Sequence, residues 1–168
     1  VDQVISRFDS LSKNSPVPLN QPATVTVLST PELGECYSTG NLVFVAPDGL
    51  DSREFAEDLM GATTGINEYW MRSGLVSLAL GEQPDQAKLQ SWYLKTEDLD
   101  MAGLFYARFM EDWATEEERE IARMSAASLV QYALDAEKIQ PDKLEEQVNN
   151  DVRTRWLKSL GVDRTVTY

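Results

Sequence analysis

Twenty-eight carboxylates and no histidine bound the chemistry open to this 168-residue chain. Without imidazole, a catalytic zinc loses its commonest ligand and a serine or cysteine nucleophile loses its usual base. Cys36 is the sole cysteine, so no partner exists for an intrachain disulfide. Ser10 and Lys13 match S-x-x-K, but they sit beside a proline-rich connector and lack the companion motifs that give such a match meaning. No G-x-S-x-G, glycine-rich phosphate loop or dinucleotide fingerprint occurs. What remains is oxygen chemistry. Glu54, Glu57, Asp58 and Glu68 are close enough in sequence to converge on one cleft. Oxygen-only ligands suit Ca²⁺ or Mg²⁺ rather than zinc. Two carboxyls at a set separation could instead act as an acid–base pair in hydrolysis. The plainest expectation for all four is solvated helix-surface charge. Asp98 opens a run like an EF-hand loop, but Ala102 and Phe109 stand where that loop needs oxygen ligands, so it is rejected.

The elements that must position these residues follow from periodicity and from helix-end signals. Val4, Phe8 and Leu11 recur at helical spacing, which predicts a helix over 1–13; Pro16, Pro18 and Pro22 then break it. Residues 23–29 alternate threonine and valine as a half-buried strand does. Residues 30–40 read as a loop, and 41–46 as a more central strand, apolar on both faces; the two strands could pair antiparallel. Asp51 and Glu54 read as N-cap and N3 of a helix through Met60. Residues 61–65 read as a flexible joint, and 68–80 as a helix stopped by Gly81. Pro84 opens another helix through Leu94, and Thr96 caps one with the apolar face Leu99, Gly103, Tyr106, Met110 and Trp113. Thr115 and Glu118 form a capping box, with Ile121, Met124, Ser128, Leu129 and Tyr132 behind it. Pro141 starts a last segment through Leu160, which Asn149-Asn150-Asp151 could divide. The expected core includes Trp70, Leu75, Leu78, Tyr106, Met110 and Tyr132. The class is α+β: a small N-terminal antiparallel or mixed sheet, then a mostly helical bundle. It is read as one domain with parts 1–22, 23–81 and 82–168.

Within 68–81 (EYWMRSGLVSLALG), Tyr69-Trp70-Met71-Arg72-Ser73-Gly74 follows an aromatic-led W-x-x-x-G pattern. This segment resembles the helix after the zinc helix in gluzincin, peptidase MA-like metallopeptidases. The order strand, loop, strand, helix, glycine-rich joint, W-x-x-x-G helix and bundle is similar too, over roughly 23–81. The resemblance implies a thermolysin-like (zincin-like) arrangement. The helix over 52–60 (SREFAEDLM) would stand where the family carries H-E-x-x-H, and Ser73 where its third zinc ligand, a glutamate, stands. Trp70 would line the cleft wall, and Gly74 would let two helices approach. No register of 52–60 restores either histidine, and Ser73 is a neutral hydroxyl. A catalytic zinc needs about three protein ligands and an open position. The resemblance therefore implies a catalytically inactive metallopeptidase-like domain with no catalytic residue, no metal and no cofactor. Its cleft candidates are Glu54, Glu57, Asp58, Glu68, Trp70 and Ser73. Ser73 must then face the helix over 52–60. The expected role is binding or scaffolding of a protein or peptide, an extended strand being held by β-augmentation on an edge strand. The alternative is a His-free hydrolase using paired carboxylates in the same cleft.

Composition narrows the partners. A net charge of −13 repels phosphate backbones and anionic headgroups, so neither nucleic acid nor a membrane surface is an expected partner. Four Trp, six Tyr and five Phe suffice for a packed core. No apolar run reaches the roughly 18 residues of a membrane span, and no signal-peptide h-region is seen. A chain beginning at Val1 is expected to be a mature or trimmed form. The family tendency favours an extracytoplasmic place, as part of an exported bacterial surface or envelope protein. Glu111, Asp112, Glu116, Glu117, Glu118 and Glu120 cluster around Trp113; helix-start electrostatics after Thr115 explain them better than a docking surface does.

Overall fold

A computed structural model describes residues 1–28, 36–96 and 115–166. The chain divides into two compact units, Val1–Glu82 and Gln83–Tyr168. Among the described residues the class is α+β, with a small mixed sheet and its helices in the first unit and helices alone in the second.

In the first unit, helix α1 spans Asp2–Asn14 and buries Leu11. Strands β1 (Thr24–Val27), β2 (Cys36–Thr39) and β3 (Leu42–Val45) form a sheet in the order β1-β3-β2. The two strands expected near 23–29 and 41–46 are present as neighbours, β1 and β3, but they run parallel and not antiparallel. The reason lies in the stretch read as a loop. β2 emerges from it and pairs antiparallel with β3, so β1 takes the opposite side of β3. Gly40, at φ +58, stands first in the two-residue turn joining β2 to β3, a position that favours glycine. Tyr37 lies opposite Phe44, ring on ring at 4.7 Å and 10°; this cross-strand stack supports a strand that carries no aliphatic side chain.

Helix α2 spans Arg53–Thr64, and helix α3 Tyr69–Ala79. Ser52, one residue later than expected, is the N-cap of α2; its hydroxyl accepts from the Phe55 N–H at 3.0 Å. The expected joint at 61–65 is instead the last turn of α2. Gly61, Ala62 and Thr63 are buried there. Thr63 and Thr64 return their hydroxyls to the carbonyls of Leu59 and Met60 at 2.7 Å each, so the turn holds no unsatisfied polar side chain. Gly65, left-handed at φ 79, ends it. Val43 and Val45 of the sheet, Phe55, Leu59 and Met60 of α2, and Trp70, Met71, Leu75 and Val76 of α3 are buried. Leu78, expected in the core, is half-buried, because the burial stripe of α3 passes through Leu75, Val76 and Ala79.

The second unit holds α4 (Gln86–Lys95), α5 (Glu116–Asp135), α6 (Leu144–Gln147) and α7 (Asn150–Ser159). The capping box is present as read: Thr115 Oγ1 accepts from the Glu118 N–H at 3.2 Å, and the Glu118 carboxylate accepts from the Thr115 N–H at 2.7 Å. That backbone N–H, then the Thr115 hydroxyl, hold the Glu118 carboxyl below its ordinary range. Asn149 caps α7, so the Asn-Asn-Asp break does divide the last segment. Leu89, Tyr93, Ile121, Leu129, Trp156 and Leu157 are fully buried. Tyr93 and Trp156 meet edge to face at 5.6 Å, and burial pushes the Tyr93 phenol up. Tyr132 is half-buried, contrary to the core expectation, because its hydroxyl reaches out to Glu137 at 3.0 Å. Tyr106 and Met110, with the helix predicted after Thr96, lie outside the described residues. No helix among the described residues is long and apolar enough to cross a membrane.

Two substitutions test this packing. Trp70, 3% exposed, should on conversion to Ala cost about 3–5 kcal/mol, read as a lower urea midpoint with unchanged slope; an unshifted midpoint would place Trp70 at the surface. Thr115→Ala should cost about 1 kcal/mol by loss of the cap, and equal stability would show that the capping box is unimportant in solution.

Candidate functional site

The six candidate residues do not share one environment. Glu57 is 2% exposed and Asp58 1%, so the expectation of solvated charges is corrected for both. Each is buried with an arginine, the arrangement that lets a charge leave water. Glu54 and Glu68 are half-buried. Trp70 belongs to the core. Ser73 is half-buried, and its carbonyl accepts from Arg53 Nη2 at 3.1 Å, so its main chain is tied to the first residue of α2.

Two arginine-centred clusters join α2 to α3. At the start of α2, the Arg53 Nε donates to Glu57 Oε1 at 3.1 Å, and Nη1 reaches both carboxylate oxygens of Glu82 at 3.1 Å. Its Nη2 spans to α3, meeting the Ser77 hydroxyl at 2.6 Å as well as the Ser73 carbonyl. One planar fork thereby serves two carboxylates, a carbonyl and a hydroxyl, which a lysine's point charge could not do.

The second cluster is deeper. Arg72, near the start of α3, is 6% exposed. Its Nε donates to the Ile66 carbonyl at 2.7 Å, and its Nη1 to the Ser38 hydroxyl at 3.2 Å. Ser38 passes its own proton to Asp58 Oδ1 at 2.8 Å. The direct Arg72–Asp58 separation is 3.5 Å, longer than a good charge-assisted hydrogen bond, so the hydroxyl of β2 bridges the pair. The Tyr69 ring lies 4.6 Å from the guanidinium carbon, within cation–π range. Asp58 Oδ2 is buried with no hydrogen-bond partner. Such an oxygen is costly, and the nearby guanidinium charge is what makes it tolerable.

Gly61 is where the close approach occurs. A Cβ there would stand 2.2 Å from Arg72 Nε and 2.3 Å from Cζ. The guanidinium therefore lies against the bare α-carbon of α2, and any side chain at 61 would displace it. Gly74, expected to allow close approach, is buried in α3.

Sequence reasoning missed Arg72, Ser38, Gly61 and Arg53. One signal existed: Arg72 is the lone charged residue in the otherwise apolar and small run Trp70–Ala79, a pattern that implies a buried partner. Nothing in sequence pointed to Ser38, because its strand was not recognised. Among the described residues, no group of three or more histidine, cysteine or acidic side chains is placed to hold a metal ion.

The cluster makes a quantitative prediction. Arg72→Met leaves Asp58 buried without its counter-charge and should cost about 3–5 kcal/mol, whereas Asp58→Leu combined with Arg72→Met should cost less than Arg72→Met alone. Gly61→Ala should destabilise by expelling the guanidinium, and should add little once Arg72 is already Met. Additive urea-midpoint shifts for Gly61→Ala and Arg72→Met would show that the two do not communicate. No protein-family model, no curated protein and no solved structure matches this chain.

Proposed function

We propose that the first unit is a metallopeptidase-like scaffold of gluzincin arrangement whose catalytic centre has been replaced by an ion pair, and that it serves as a binding module for an extended protein segment. The observation that carries this is the meeting of Ser38 of β2, Asp58 of α2 and Arg72 of α3. The first helix after the sheet and the W-x-x-x-G helix are the elements that would carry the zinc ligands in such a scaffold, and β2 lies beside them. Here they converge on a guanidinium. A fixed cation on the protein occupies the electrostatic role of the metal, and it offers no open coordination position for water or substrate.

The parallel β1–β3 pair with an antiparallel outer strand also supports the reading. β2 is an outer strand of the sheet among the described residues, next to α2, and an extended segment adding to it would gain main-chain hydrogen bonds. The alternative, a hydrolase using paired carboxylates, requires acids presented to an open cleft. Glu57 and Asp58 are instead buried on Arg53 and Arg72, which favours binding over hydrolysis.

The test has two arms. The purified chain, dialysed against zinc and then against buffer, is expected to retain far less than one equivalent and to leave unstructured peptide substrates uncut; stoichiometric retention with zinc-dependent cleavage would refute the replacement. Linear peptides selected from a displayed library against the chain are expected to protect β2 amides from hydrogen exchange. A selection whose binders protect only other regions would rule out strand addition.

A further inference from the structure

A separate cleft, open to solvent, lies on the second unit and is lined by α4, α5 and α7, with a volume of about 800 Å³. That is within the usual range of small-molecule sites, roughly 300–1,000 Å³. Its polar lining comes from Gln86 and Gln90 of α4, from Ser128, Gln131, Tyr132 and Asp135 of α5, and from Ser159 of α7.

The hydrogen bonds of the wall orient two of these groups. The Trp156 indole N–H can only donate, and it donates to Ser128 Oγ at 3.0 Å. Ser128 in turn donates its proton to Gln86 Oε1 at 3.2 Å. The oxygen end of the Gln86 carboxamide is thereby fixed, and its NH₂ end remains as a donor. On the opposite side of the logic is Tyr132. Arg155 grips both oxygens of Glu137 at 2.7 Å and, as the largest influence, holds that carboxyl below its ordinary range. A carboxylate so held accepts only, so the Tyr132 hydroxyl donates to it at 3.0 Å. The phenolic oxygen is left as an acceptor. A donor and an acceptor are thus preset by partners behind them, which is how recognition sites keep their geometry.

The rest of the lining limits the ligand. Asp135 is the only charged side chain among the described lining residues, and it is negative, so anions are disfavoured. Ala87, Ala136 and Leu160, beside the buried Trp156, give the lining an apolar share about equal to its polar share, which suits a ligand with both C–H faces and hydroxyl edges. Three carboxamides, three hydroxyls and a carboxylate match a molecule whose every polar group both donates and accepts. We propose that this cleft binds a neutral carbohydrate, whose hydroxyls accept from the carboxamides of Gln86, Gln90 and Gln131 and donate to Asp135 and Tyr132. This site is independent of the ion pair in the first unit.

The test is a nuclear magnetic resonance titration of the isotope-labelled full chain with neutral disaccharides of gluco, galacto and manno configuration and with chitobiose. At least one of them should give saturable shifts in the Trp156 indole N–H and in the side-chain NH₂ signals of Gln86, Gln90 and Gln131. Glucuronate should bind more weakly than the neutral sugar. Gln86→Leu should weaken binding about three- to tenfold, as loss of one hydrogen bond would, with the chain still folded by its urea transition even if the midpoint falls. Should that variant fail to fold, Gln131→Leu replaces it. The proposal is overturned if none of the sugars gives saturable shifts up to about 10 mM, where a site of millimolar affinity would be mostly filled. It is equally overturned if the shifts survive Gln86→Leu undiminished, which would place the sugar elsewhere.

Discussion

A guanidinium taken out of water must find acceptors for its N–H groups and a counter-charge within a few ångströms, or the fold loses several kcal/mol. Arg72 meets that demand by drawing on four separate pieces of chain. The Ile66 carbonyl comes from the connector between α2 and α3, the Ser38 hydroxyl from β2, the carboxylate of Asp58 from the middle of α2, and the aromatic face from Tyr69 one turn back on its own helix. Each contact fixes the relative position of two elements. The bare α-carbon of Gly61 completes the set, since the fork can reach Asp58 only by lying across the helix at that point.

Much of the first unit follows from this one requirement. α2 has to continue through Gly61–Thr64, because the guanidinium needs a regular helix surface to lie on and Ile66 has to emerge beyond it. β2 has to be a strand next to α2, because its serine is the bridge between the two charges. Arg53 repeats the device at the other end of α2, with more solvent and less cost. The two arginines bracket Ser73, which sits next to Arg72 in the chain and has its carbonyl on Arg53.

The second unit handles buried polarity differently. Among its described residues, the buried polar side chains Ser125 and Ser128 make neutral pairs: the Tyr93 hydroxyl on Ser125 at 2.8 Å, and the indole of Trp156 on Ser128 and so on to Gln86. Neutral pairs need no counter-charge and leave spare donors and acceptors at their ends.

Local signals were readable wherever the deciding interaction lies within a few residues. The capping box of Thr115 and Glu118, the Asn149 break, the stop of α3 near Gly81 and the existence of two valine-rich strands all depend on nearest neighbours or on period, and the structure has them. Strand direction, the hidden strand β2 and the continuation of α2 were not readable. Each depends on a contact made far along the chain: Tyr37 with Phe44 in an unmarked hairpin, β1 with β3 across that hairpin, and the Gly61 turn against Arg72. The candidate acids show the same division. Residue type placed Glu57 and Asp58 among groups able to carry charge, but whether that charge faced water or an arginine was settled only by packing. An acid on a helix reads the same in sequence on either face, and the low-dielectric surroundings that give it meaning exist only after distant elements close around it.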